Sequence, residues 1–315
     1  THCHLYGWKQ LIESLFGHDC PYLACRTAEG GICGVLPLVR VRSWLFGHSL
    51  VSMPFLNYGG PLGSDVAVRA LGQEAARRAK LEGVRLLELR SRVELPLDLR
   101  VSHRKLTVLV DIPGSSAALW AGFSTKIRNK VRRAQKAGVS VRFGPEEMGP
   151  FFSVFARHMR DLGTPTQSER FFQGIQDAFP DSVVFGCAYH GGRVIAGGCG
   201  FRWGDEFEIT WSSALREHTD VRANYLLQWA FMERAANEGC RTFNFGRSSP
   251  GGGTHEFKRQ WGGRDEPLWW YQFPPEAEST PSPDQGAYRW GPRLWRLLPV
   301  GLATRLGPGI VRYIP

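Results

Sequence analysis

Apolar and polar positions along the chain fall into one plan that occurs twice. Leu23 to Cys25 opens a strand, Glu29 to Gly31 supplies a hairpin-type turn, and "ICGVLPLVRVR" returns as a strand, with a further strand pair around "SLVSMPF". After "LNYGGPLGSD", Val66, Ala70, Leu71, Ala75 and Ala79 recur at helical spacing; Asp65 is placed to cap that helix and Gly83 to stop it. "VRLLELR" then reads as a strand. From Val183 the order comes back: strand "VVFGCAY", turn His190 to Gly192, strands "RVIAGGCGFRW" and "EFEITWSSA". A helix from Tyr225 to Glu238 follows, with Leu226, Leu227, Ala230, Phe231 and Ala235 on one face; Gly239 ends it before the strand "RTFNFG". The copies also rhyme at their ends, "EGVRLLELRS" against "EGCRTFNFGR". A duplicated α+β domain accounts for the repeat.

Between the copies lies "FSTKIRNKVRRAQKAGVSV", a short helix with Ser124 as N-cap, Gly138 as stop, and Ile127, Val131 and Ala134 as a narrow apolar stripe. Lys126, Arg128, Lys130, Arg132, Arg133 and Lys136 cover the rest, six positive charges in eleven residues without an acid. Like charges at this spacing repel, so an anionic ligand is the favoured reading over a solvated face. Past Phe273, "PPEAESTPSPDQG" has linker composition. The tail "RWGPRLWRLLPVGLATRLGPGIVRYIP" suits docking on a domain or on a membrane surface. The expected organisation is a first domain over 1–115, its native start lying upstream of Thr1, a second over 116–273, and a linker and tail over 274–315.

Composition narrows the partners. With 315 residues and 43% apolar content the chain can build two cores, and 39 Lys and Arg against 29 Asp and Glu give a net charge of +10. Nucleic acid, anionic lipid and acidic substrates fit that sign. Seven cysteines with no CxxC pair read as free thiols in a reducing compartment, and no apolar run reaches the roughly 18 residues of a membrane helix. The expected location is the cytoplasm, at or near the inner face of the membrane. His2, Cys3, His4, His18 and Cys20 lack zinc spacing, so no metal is expected, and no GxSxG nucleophile elbow occurs. "GGGTHEFK" fails the GxxxxGK[ST] order and the dinucleotide fingerprint, so no tightly bound cofactor is expected.

The stretch "NFGRSSPGGGTHEFKRQWGG" (Asn244 to Gly263) carries the chemistry. Its glycines allow sharp turns, and structure resumes with Phe257 and Trp261 four apart. Lys258, between aromatics near a sheet edge, would act through a low effective dielectric on a developing oxyanion, a donor worth about a hundredfold to a thousandfold in acyl transfer; the competing reading is a surface lysine. Arg247, Asn224, Tyr58 and Trp211 are further candidate pocket residues.

These features together resemble the FemAB group of aminoacyl and acyl transferases, of the GNAT-like superfamily. "HMRDLGTPTQSERFF" and "LWRLLPVGLATRLGP" resemble more specifically the FemAB-like proteins of PEP-CTERM/exosortase and exopolysaccharide loci. The resemblance implies two tandem GNAT-like domains with an active cleft at or near their junction. It also implies transfer from aminoacyl-tRNA to an amine or hydroxyl of a cell-envelope precursor, with Lys258 assisting and Phe257 and Trp261 beside it. The long helical hairpin of some Fem proteins is not visible. An acyl-CoA donor is the alternative: its pyrophosphate would sit at the helix start near Asn224, where "LREHTDVRAN" has no glycine but offers Arg216 and Arg222. Other classes are a non-catalytic nucleic-acid or polysaccharide-binding protein on the same scaffold, and a membrane-surface module using the tail from Arg289.

Overall fold

A computed structural model describes residues 1–43, 47–276 and 290–314 as a mixed α+β fold. The chain divides into two compact units, each assembled from separated segments: Thr1–Lys105 with Pro267–Ala287 and Gly309–Pro315, and Leu106–Glu266 with Tyr288–Pro308. The linear boundaries expected near 115 and 273 differ from this division for a physical reason. A strand belongs to the sheet that satisfies its backbone, and a pattern along the chain does not say which sheet that is.

In the first unit, α1 (Gly7–Phe16) precedes a small antiparallel sheet of β1 (Leu23–Arg26), β2 (Ile32–Leu36) and β5 (Leu62–Gly63). A five-stranded sheet is ordered β3 (Val39–Ser43), β4 (Gly47–Val51), β6 (Leu86–Ser91), the strand Trp269–Phe273, and β7 (Arg100–Ser102). Helix α2 (Asp65–Leu81) is capped by Ser64, whose Oγ accepts the Ala67 amide at 3.4 Å, while Asp65 sits in the first turn. Leu71, Ala75 and Ala79 pack on Leu50, Leu87 and Leu89 as the spacing predicts. Val66 and Ala70 instead face solvent, and Ala67 and Val68 are buried in their place.

The second unit is a seven-stranded sheet. In chain order it contains β8 (Leu106–Asp111), α3 (Ser116–Gly122), α4 (Thr125–Lys136), β9 (Ser140–Phe143), α5 (Met148–Leu162), α6 (Glu169–Ala178), β10 (Val183–His190), β11 (Arg193–Trp203), β12 (Glu206–Ala214), α7 (Ala223–Asn237), β13 (Thr242–Ser248), α8 (Gly253–Arg259) and β14 (Arg264–Pro267). The sheet order is β14-β8-β13-β12-β11-β10-β9. Phe207, Ile209, Phe243 and Phe245 bury one face under α4 and α7, and α5 and α6 cover the other through Phe151, Phe171 and Phe172. Helix α7, expected to bury one face, is buried on two sides, because α3 and α4 lie over it. Of the linker expected from residue 274, residues 277 onward lie outside the described residues, which resume at 290; the tail forms α9 (Trp290–Arg296) and α10 (Val300–Val311).

One arrangement occurs in both units. A strand, a helix and a second strand parallel to the first are β4, α2 and β6 in one and β12, α7 and β13 in the other. In each sheet an antiparallel strand lies beside the second of these strands, Trp269–Phe273 beside β6 and β8 beside β13. The first hairpin differs: β1 and β2 leave the main sheet, whereas β10, β11 and β12 are continuous.

Candidate active site

Strands β12 and β13 pair in parallel only over Glu206↔Thr242, Phe207↔Phe243 and Glu208↔Asn244. Each carries an irregularity at that point. The register of β11 against β12 jumps between Cys199↔Trp211 and Gly200↔Ile209, and that of β13 against β8 between Asn244↔Leu109 and Arg247↔Thr107, with Gly246 at φ 67°. Bulges bend strands and end pairing. The result is a fork in the sheet where the two strands part.

Polar side chains fill the fork on the face opposite α7. Asn244, fully buried, donates from Nδ2 to Glu206 Oε1 at 2.8 Å and accepts the Gly246 amide at 2.8 Å. Thr107 Oγ1 lies 2.6 Å from Asn244 Oδ1 and 3.1 Å from the Gly246 carbonyl, with one proton to give. Lys258 is 8% exposed, and its Nζ donates to the carbonyls of Gly246 at 2.9 Å and Arg247 at 3.0 Å. Burial pulls this ammonium down to about 7; buried Glu208 draws it up, and the Arg247 charge pushes it further down. The third valence of Nζ has no protein partner among the described residues.

Lys258 is therefore not gripped between Phe257 and Trp261. Residues 257 and 261 share one face of α8 and its continuation, and 255 and 258 share another. Phe257 and Trp261 turn toward α7, with ring centroids 5.0 and 6.0 Å from Tyr225. Tyr225, in the first turn of α7, meets the basic helix: Lys130 Nζ donates to its hydroxyl at 2.8 Å and to Gln260 Oε1 at 2.6 Å, and lies 4.4 Å above the ring. Ser124 caps α4, and Ile127, Val131 and Ala134 are buried, as the spacing predicts. Arg128 turns back to the carbonyls of Ala121 and Phe123, and Arg132 lies 5.6 Å over Trp120. Lys126, Arg132, Arg133 and Lys136 are exposed, and among the described residues no carboxylate pairs with any of the six cations.

Residues 121–259 match the family model of the acetyltransferase (GNAT) domain. This segment, less than half of the chain, is similar to that domain family. The match runs from the end of α3 through Arg259 and takes in both forked strands, α7 and Lys258. A search of curated proteins finds no match to the chain. Among solved structures the chain is similar to FemX, at 16% identity and a TM-score of 0.65 over 86% of this chain and 92% of that one. It is similar also to a C-terminal domain (DUF2156) assigned to a lysylphosphatidylglycerol synthetase of Agrobacterium fabrum, at 13% identity and 0.57 over 83% and 86%. A tandem GNAT protein from the clavulanic acid biosynthesis pathway follows at 12% and 0.52 over 84% and 94%. At these identities the likeness is one of fold, and the fold is that of tandem GNAT proteins.

The other expected residues are scattered. In the second unit, Arg247, next to last in β13, lends its carbonyl to Lys258, and half-buried Asn224 lies beside Tyr225 at the start of α7. Trp211 packs in an aromatic cluster with Phe171 and Phe172 at 6.0 and 5.3 Å, and it takes no part in the fork's polar network. Tyr58 is buried in the first unit with the Arg92 guanidinium 5.3 Å over its ring. His2 and Cys3 are buried against each other, 3.7 Å between Nε2 and Sγ, and His4 Nε2 is 2.8 Å from the Gly60 carbonyl. Thr107, Glu208, Asn244, Tyr225 and Gln260 were not singled out by sequence. One signal was available: Asn244 is a polar residue between two core phenylalanines in a buried strand.

Proposed function

We propose that the protein is a transferase that moves an aminoacyl or acyl group onto an amine or hydroxyl of a cell-envelope precursor, of peptidoglycan or exopolysaccharide type, with aminoacyl-tRNA as the favoured donor. The observation that carries this reading is the Lys258 amine at the end of the β12–β13 fork, nearly dry, held by two carbonyls and with one valence to spare. The acceptor attacks the ester carbonyl, and the carbonyl oxygen gains charge. A Lys258 ammonium donating its third N–H to that oxygen lowers the barrier; the acceptor's proton leaves with the departing alcohol. The unpaired cations of α4 support a phosphate-rich donor, because phosphate contacts need clustered Lys and Arg and no base readout. One structural neighbour is named as the C-terminal domain of a lysylphosphatidylglycerol synthetase, and another as FemX. Acyl-CoA is the second reading, supported by the GNAT family match and by the start of α7 packing against α8 through Tyr225.

Incubation with charged tRNA and, separately, with a panel of acyl-CoAs in an envelope extract tests this. Consumption of charged tRNA is expected, with Lys258→Ala slowing it about a hundredfold to a thousandfold. Consumption of neither donor overturns the transferase reading; unchanged turnover in Lys258→Ala overturns the lysine's role.

A further inference from the structure

A second buried side chain of α8 holds the glycine loop that leads to Lys258. His255 lies one turn before Lys258 on the same face of the helix and is 5% exposed. Its Nδ1 accepts the Gly251 amide at 3.0 Å, so its proton sits on Nε2, which lies 2.9 Å from Asp265 Oδ1 on β14. A backbone N–H on one nitrogen and a carboxylate on the other select a single neutral tautomer. Arg259 Nε, 3.8 Å from Asp265 Oδ2, faces the same carboxylate.

The clamped segment is one that resists ordering. Gly251 has φ 70°, two more glycines follow it, and glycine loses more backbone freedom on folding than any other residue. The Gly252 amide to the Ser249 carbonyl, at 3.2 Å, is a further backbone bond within the turn. One face of α8 thus closes the loop at two points, His255 onto Gly251 and Lys258 onto Gly246 and Arg247. Asp265 ties the first point to β14 at the sheet edge.

We infer that His255 is a positioning residue: by pinning Gly251 to Asp265 it fixes the loop and α8 so that the Lys258 amine stays on the carbonyls of Gly246 and Arg247. Its catalytic consequence rests on the transferase reading, but the positioning itself does not. Competitive labelling with acetic anhydride, read by mass spectrometry against exposed Lys126 as internal reference, tests it without any turnover. In wild type Lys258 labels slowly. In His255→Ala local opening raises its labelling at least about tenfold, whereas His255→Asn, which keeps an acceptor for Gly251, stays close to wild type. Where His255→Ala fails to fold by circular dichroism, Asp265→Ala takes its place with the same expected rise. Unchanged Lys258 labelling in a folded His255→Ala or Asp265→Ala protein overturns the inference. With a consumed donor in hand, His255→Ala lowers kcat about 10- to 100-fold with little change in KM. Added to Lys258→Ala it costs nothing further, and losses that multiply in the double variant overturn the coupling. If wild type transfers nothing, the transferase reading fails, and labelling alone decides the positioning role.

Discussion

At the scale of the residue, Lys258 couples stability and activity to pH in opposite directions. Its pKa is about 7 in the folded protein and near the ordinary lysine value when unfolded. Below pH 7 both states hold the proton, and the cost of burying the charge is fully present. Between about 7 and 10 the unfolded chain holds a proton that the folded one has released, so folding gains stability as pH rises. The melting temperature of wild type relative to Lys258→Met should therefore increase from pH 6 to pH 9, as calorimetry would show. Activity runs the other way, because only the ammonium donates to an oxyanion with its full charge. We expect kcat to fall as pH rises through about 7, and the Lys258→Arg variant, whose guanidinium stays protonated, to give a flat profile over that range whatever its residual rate. A lysine among aromatics and glycines was legible as a candidate; the direction in which it points was not. Helical periodicity separates residue 258 from 257 and 261, and the turn of the loop decides which face meets the fork.

At the scale of the element, the fork depends on a bulge that a side chain would resist. Gly246 adopts φ 67°, a left-handed conformation that costs an L-residue about 1–2 kcal/mol. Gly246→Ala is accordingly expected to lower the melting temperature and to weaken Lys258's hold on the carbonyls of residues 246 and 247, raising the reactivity of Lys258 toward an acylating reagent. Helix α4 presents a different case. Its cap, stripe and stop were all readable, since they are local, but its six cations divide in a way that sequence did not indicate: Lys130, Arg128 and Arg132 are engaged within the domain, while Lys126, Arg133 and Lys136 stay exposed without carboxylate partners among the described residues. If α4 holds tRNA phosphates, Arg133→Glu weakens binding about uniformly across tRNAs. It also reduces the slope of log K against log salt by roughly one phosphate contact, measured by filter binding across a salt series.

At the scale of the whole molecule, the first unit depends on a strand from the far end of the chain. Trp269–Phe273 lies between β6 and β7, with Tyr271 opposite both Leu89 and Val101. Deleting residues 267–315 should strip β6 of its antiparallel partner and leave β7 unpaired, so that amides of Leu86–Ser91 lose hydrogen-exchange protection. The second unit's strands from Val183 to Ala214 have neighbours close in sequence and should keep theirs. No described helix is long and apolar enough to cross a membrane.

Local patterning determined most elements of the second unit, the α+β class, the repeated strand, helix, strand order, and the single stretch in which a chemically useful lysine sits. These follow from periodicity and turn chemistry, which act over a few residues. Only the tertiary structure decided the rest, because each remaining feature is a pairing between distant residues. Strand Trp269–Phe273 joined the first unit, β8 the second, and Lys258, Glu208, Asn244 and Thr107 met where two strands part. Burial there, and no property of the lysine's own neighbours in sequence, is what brings its amine near neutrality.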